Sequence, residues 1–403
     1  MSNTPVFPGG TNTPDHRREH SPDRLVEGDG AFVYTAQGEE LIDMSMAYGA
    51  QIFGHGDPEI AAAVTESLDR GWLFAEPHAL AEQVAHRIAE FFPSAEQVKL
   101  ATTGSDTVAY ALRCARSFTD QDRVLVTEGA YHGVHHGLTY SAGFPDEVTN
   151  SLTAVPFNDV EATRSALEGG EYAAFLLEPV LKDSGCVEPS REYLEAVREV
   201  CTRTDTVLIF DEVLTGARLG PGGAQARYDV LPDLMTVSKA LSAGFPISAV
   251  AGTRTVMSEF MPPGEVFLAG TFNGNPLSLT ATDATLERLE SQPVHERIDT
   301  LGAELRAFLA AAFADRGIDA TVQGVGSILH IAMGHTESGY TRGLRDRDHN
   351  PAQYYKLATA ARDAGILLPP YHFQCMFTSV AHHTQMEALK SRFSDALDRY
   401  EQR

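Results

Sequence analysis

Three short stretches of the chain carry residue types that could do chemistry together. In "TVLIFDEVLTG", Asp211 follows four apolar residues, so its carboxylate stands at the end of a strand expected to be buried. A buried carboxylate needs a cation or several hydrogen bonds. A protonated ring nitrogen on a ligand would serve, as would a helix cap or a nearby arginine such as Arg218. In "PDLMTVSKALSAGFP", Lys239 follows the apolar run directly and precedes small residues and Gly244. Lysine is rarely buried without a partner. It reads either as a solvated loop residue or as an amine nucleophile, the small residues leaving room for something bound to it. In "KLATTGSDTVAYALRCARSF", a strand ends at Thr102-Thr103-Gly104-Ser105 and a helix begins, with Val108, Leu112 and Ala115 on one face. The free N–H groups and positive dipole end of such a helix suit a phosphate. Gly104 permits close backbone approach and Ser105 adds a hydroxyl; an ordinary Ser/Thr cap is the other reading.

Lys239 lies 28 residues beyond Asp211, about one strand–crossover–strand unit, so the two fit neighbouring strands. A phosphate site, a buried acid and a reactive lysine together describe a pocket for pyridoxal 5′-phosphate. In that chemistry a lysine forms a Schiff base and an acid partners the pyridine nitrogen. The segment "EGAYHGVHHG" adds Tyr131, a flat ring able to stack on a pyridine, with His132 beside it. His132, His135 and His136 also raise metal binding, but glycines interrupt the segment and no acid lies among the three, so no metal is expected.

The elements that must position these residues are legible as alternating patterns. Apolar runs "VKLAT", "RVLVTEG", "AAFLLEPV", "TVLIFDEV" and "LMTVS" alternate with helical stretches such as "SREYLEAVREVCTR". This order predicts an α/β fold with a mostly parallel sheet covered on both faces, and ligands at the carboxyl ends of its strands. Before it, "GAFVYTAQGEELIDMS" predicts a hairpin about Gln37-Gly38; after it come a long helical region from about residue 281 and strands in "GSILHIAM" and "FTSVAH". The expected organisation is an N-terminal segment (1–45) joining a small domain, a large α/β domain (46–285) and a small α+β domain (286–403).

Bulk composition narrows the function classes. The 403 residues hold 31 Lys and Arg against 55 Asp and Glu, a formal charge of −24, which disfavours nucleic acid and anionic membrane as partners. The cysteines Cys114, Cys186, Cys201 and Cys375 form no CxxC pair and suit a reduced compartment. The first residues lack the pattern of a secretory signal, and no apolar run approaches the ~20 residues of a membrane span, so a cytoplasmic protein is expected.

On "YHG", "EPV", "FDEVLTGAR", "PDLMTVSKALSAGFP" and "AGTFNGNPLS", the chain resembles the class III, or ω-type, aminotransferases of fold-type I, and among them most the glutamate-1-semialdehyde aminomutases. The likeness runs from "FPGGTNTP" to "FTSVAHH". It implies a large domain with a mostly parallel seven-stranded sheet, a smaller α+β domain from both chain ends, and pyridoxal phosphate as cofactor. It also implies a small-molecule amino donor and carbonyl acceptor, and a homodimer with shared active sites. By resemblance Lys239 is the Schiff-base lysine and proton shuttle, and Asp211 holds the pyridinium. Val213 packs on the ring opposite Tyr131, with His132 beside it, and Gly104 and Ser105 bind the phosphate. Glu178 lies near the active site, and Thr271 reaches the cofactor phosphate of the neighbouring subunit.

The substrate side departs from the family pattern. His16 stands where an arginine is usual, with Arg17 and Arg18 following; Lys182 and Asp183 replace a glycine and an asparagine; Tyr48 stands near a family tryptophan and Gln374 at a family glutamate. Arg17, Tyr48 and Gln374 are the expected substrate residues. A retained cofactor half with an altered substrate half implies an aminotransferase acting on an aldehyde, keto acid or β-keto acid. An intramolecular aminomutase is the alternative.

Overall fold

Strands β1 (Leu25–Asp29), β2 (Phe32–Thr35) and β3 (Glu40–Asp43) form an antiparallel ribbon. The turn joining β2 to β3 has Gly38 at φ +86°, as the Gln37-Gly38 reading anticipates. The computed structural model describes residues 6–8, 12, 24–135, 138, 143–334 and 350–403. Arg17, with its neighbours His16 and Arg18, lies outside the described residues, as does His136.

Seven strands follow: β4 (Gln97–Ala101), β5 (Val124–Thr127), β6 (Leu152–Val155), β7 (Ala174–Leu177), β8 (Val207–Glu212), β9 (Leu234–Val237) and β10 (Ser248–Gly252). They form one sheet in the order β4-β10-β9-β8-β7-β5-β6. All pairings from β9 to β6 are parallel, and β10 runs antiparallel to both its neighbours. The central strands are continuous apolar runs because both faces are covered. Helix Gly104–Thr119 sets Val108, Leu112 and Ala115 against Ile209 and Leu234 on one face. Helix Arg191–Arg203 sets Leu194 and Val197 against Leu208 and Phe210 on the other. The alternation along β8 sends successive side chains to opposite faces up to its end, where Asp211 and Glu212 stand.

β6 and β10 are the two strands that apolar runs do not reveal. β6 is a half-buried edge strand, and β10, "SAVAG", consists mostly of small residues. The long helical region is two helices, Pro276–Ser291 and Val294–Asp315, broken at Gln292-Pro293. A boundary at residue 285 would cut the first of them, whose Leu286 and Leu289 share a core with Met235 and Val237 of the large sheet.

The remainder builds a second core. β11 (Ala320–Val325) and β12 (Ile328–Met333) pair antiparallel; β13 (Ile366–Leu367) joins β3 in parallel, and β14 (Met376–Phe377) joins β12. Ile42 and Met44 from the N-terminal ribbon pack there with Leu305, Leu357, Leu389 and Phe393. The strand expected in "FTSVAH" is confined to its first residue, because Ser379 caps a 3₁₀ helix, Val380–Gln385. Among the described residues, no helix is long and apolar enough to cross a membrane.

Candidate active site

The carboxyl ends of β5, β7, β8 and β9 converge on a cavity of about 200 Å³, closed on one side by the start of helix Gly104–Thr119. Gly104, Ser105, Tyr131, His132, Glu178, Asp211, Val213 and Lys239 all line it.

Asp211 ends β8 almost fully buried. Its Oδ2 meets His132 Nδ1 at 2.8 Å, and its Oδ1 accepts from Val213 N (3.2 Å) and from Thr236 Oγ1 (3.1 Å). Burial pushes its pKa up. The His132 hydrogen bond and charge, with the Val213 and Thr236 donors, outweigh burial and hold it below the usual carboxylate value. Three donors leave a carboxylate, with about four lone-pair sites, room for one more. Arg218 is not a partner of Asp211. Its Nε and Nη2 donate to Gly49 O (3.0 and 2.8 Å), and its Nη1 donates to Thr378 O (3.0 Å) and Ser327 Oγ (3.1 Å).

Lys239 begins a 3₁₀ turn, Lys239–Ser242, at φ +49°, in the left-handed region that a non-glycine residue occupies at a cost. The turn aims its amine into the cavity, where burial, then the nearby charge of Lys182, pull its pKa down to about 8. The small residues after it do not provide room for a ligand. Ala240, Leu241 and Ala243 pack in the core with Leu279 of helix Pro276–Ser291, and a Cβ on Gly244 would strike the Gln51 amide.

The helix start fits an anion. Thr103 and Asp106 form a reciprocal capping box that occupies the Asp106 N–H and leaves the Gly104 and Ser105 N–H groups at the cavity wall. A Cβ on Gly104 would come within 2.9 Å of both Val213 methyls. A Cβ on Gly133, at φ +82°, would strike Ser105 more closely still, and Ser105 Oγ accepts from Val134 N at 3.3 Å. Beyond β7, Glu178 Oε1 accepts from Tyr131 N at 2.6 Å, and burial raises the Glu178 pKa. The histidine cluster divides: His132 faces Asp211, and His135 lies 3.5 Å from Asp106. Among the described residues, no group of three or more His, Cys, Asp and Glu could hold a metal ion.

The other expected residues stand apart. Thr271 is exposed on the loop before helix Pro276–Ser291. Tyr48 lies in a left-handed turn, Met46–Gly49, and Gln374 Oε1 accepts from Tyr371 N at 3.3 Å; neither lines the cavity.

Comparison with known proteins settles the family. The sequence profile "Aminotransferase class-III" matches residues 15–397. The chain belongs to the class-III aminotransferase family. It is 37% identical to a glutamate-1-semialdehyde 2,1-aminomutase of Archaeoglobus fulgidus over 94% of this chain and 93% of that one. A second aminomutase, from Methanothrix thermoacetophila, is 36% identical over 94% and 91%. Among solved structures, an omega-transaminase from Sphaerobacter thermophilus superposes with a TM-score of 0.91 at 30% identity, covering 98% and 95% of the two chains.

The cofactor of class-III aminotransferases is pyridoxal 5′-phosphate, and this site fits it. Besides the glycine cradle and the open capacity on Asp211, His132 Nε2 is buried without a partner among the described residues. Residue-level reading missed Thr236, Gly133, Ser238 and Leu214. Thr236 did leave a signal, as a polar residue inside an apolar strand. It also missed Lys182 as a cavity residue: its side chain is 9% exposed, paired with Asp183, and 4.9 Å from the Tyr131 ring centre.

Proposed function

We propose that this class-III aminotransferase shifts an amino group within one small acid, as a glutamate-1-semialdehyde 2,1-aminomutase does, with pyridoxal phosphate as cofactor. The observation that carries the choice of reaction is the likeness to curated aminomutases across 94% of the chain. It reverses the order in which the altered substrate side alone would rank the two reactions.

When bound, the cofactor supplies an aldehyde to take up the amino nitrogen and a ring to draw electrons from the adjacent carbon. Asp211, kept ionised by His132 and Thr236, would hold a proton on the pyridine nitrogen. The Gly104 and Ser105 N–H groups would bind the phosphate, and Val213 and Tyr131 would flank the ring. Lys239 Nζ, with its lowered pKa, is suited to take a proton from one substrate carbon and return it to the next. The exposed Thr271 loop supports a homodimer in which Thr271 completes the neighbouring subunit's phosphate site. The four free, buried cysteines support a cytoplasmic setting.

A second reading, transfer to a separate carbonyl acceptor, is favoured by the superposition on an omega-transaminase. Isotopic nitrogen separates the two. With glutamate 1-semialdehyde as the only substrate, the first reading expects nitrogen label at C2 to appear at C1 of the isomerised product, with no amino donor or acceptor added. Carbonyl release from a simple amino donor, followed by amination of an added acceptor, would replace it with the second.

A further inference from the structure

Lys182 sets a buried cation at the wall of the cavity that holds Lys239 and Asp211. Its side chain is 9% exposed, and its ammonium has three donors but, among the described residues, one acceptor, Asp183. Burial would neutralise the amine, but the charges of Asp183 and Glu178 and the Asp183 hydrogen bond outweigh burial and keep it an ammonium, with only one of its N–H groups used. Buried donors are nearly always satisfied, and here the unoccupied space beside this one is the cavity that also holds Lys239 and Asp211.

The ammonium is also held in place. The turn Lys182–Ser184 follows β7, and the Lys182 N–H reaches back to Glu178 Oε2 at 3.5 Å. Cys375 Sγ donates to Lys182 O at 3.0 Å, Gln323 Nε2 to Gly185 O at 2.6 Å, and Ser184 Oγ to Gly129 O at 2.9 Å. Three separate segments therefore fix the turn. The Tyr131 ring, 4.9 Å away, supports the cation on one side without taking a hydrogen bond. Besides Lys182 and Lys239, no Lys or Arg among the described residues lines the cavity.

We propose that Lys182 is a specificity residue whose ammonium binds the substrate's carboxylate inside the cofactor cavity. This rests on the functional reading above. A buried ammonium attracts an anionic oxygen strongly, and two of its N–H groups have no protein acceptor among the described residues. Asp183 sets the strength of that attraction by partly neutralising the charge.

The test uses the purified holoenzyme and a matched pair of amines, 4-aminobutyrate and n-butylamine, titrated by calorimetry and by cofactor absorbance. The wild type is expected to bind the carboxylate-bearing amine at least tenfold more tightly. In Lys182→Met the ratio of the two dissociation constants should collapse toward one; Lys182→Arg should keep part of it and Asp183→Asn should widen it. No preference in the wild type, or a preference that survives Lys182→Met, overturns the proposal. Equal losses for both amines with a displaced cofactor absorbance overturn it too, assigning the ammonium to the cofactor's phenolic oxygen. Failure of the wild type to take up pyridoxal phosphate would instead overturn the functional reading itself.

Discussion

Two neighbouring regions at the ends of β8 and β9 each contain a buried acid and a buried base, and they do opposite things. On the cavity side stand Asp211 and Lys239. On the other side, Glu212 Oε2 accepts from Ala224 N (2.6 Å) and Thr215 Oγ1 (3.0 Å), and its Oε1 accepts from both nitrogens of Gln225 (3.2 and 3.0 Å). Arg218 joins that side to Gly49, Ser327 and Thr378. The difference lies in what is left over. Glu212 and Arg218 have their hydrogen-bonding capacity used by backbone and neighbouring side chains, so they lock the loop after β8 and the second core together. Asp211 and Lys239 keep capacity that points into a cavity.

The two acids also shift in opposite directions. Burial raises Glu212, and four neutral donors do not overcome it. Asp211 meets the same burial, but its partners include His132, whose hydrogen bond and charge bring it below the usual value. Adjacent residues on one strand thus differ because the strand's alternation turns them to different faces.

The sharpest test of the contrast is Lys239→Ala. It should reduce turnover by ~10⁴-fold and abolish the long-wavelength cofactor absorbance, while the melting temperature stays close to that of wild type. Asp211→Asn should follow with a loss of ~10³-fold in kcat and little change in melting, because the isostere keeps the shape but not the charge. On the other side, Arg218→Met and Glu212→Ala should each cost about 2–4 kcal/mol of stability, read by thermal unfolding, with residual activity in the folded fraction. Loss of chemistry without loss of stability in Glu212→Ala would erase the distinction between the two sides.

The smallest effect is a pH shift. In cofactor-free protein the neutral Lys239 amine grows with pH through about 8, so the rate of pyridoxal phosphate uptake should rise through the same range. Burial is the main cause of the lowered pKa and the Lys182 charge the next, so Lys182→Met should move the midpoint upward. Stopped-flow absorbance would measure it, and an unmoved midpoint would separate Lys182 from the Lys239 side.

Much of the cofactor side is legible in the sequence. Asp211 and Lys239 sit where apolar runs stop, and Gly104-Ser105 sits where a strand gives way to a helix. Those are local patterns, and α/β topology brings strand ends together whatever the loops do. Tyr48 and Gln374 are substrate residues only by resemblance to family positions, and neither lines the cavity. Their positions depend on a left-handed turn and on the second core, which no local pattern encodes.

The sequence by itself determined the alternation of strands and helices, the chemistry available at each strand end, and the family. Only the tertiary structure decided that Asp211 faces a cavity and Glu212 a loop, that Arg218 ties two cores rather than neutralising Asp211, and that Lys182 is buried beside Lys239. The physical reason is the range of the forces involved. Periodicity and capping act within a few residues, whereas burial and charge depend on segments far away in the chain: Gln323 and Cys375 place Lys182, and Gly49 and Thr378 satisfy Arg218.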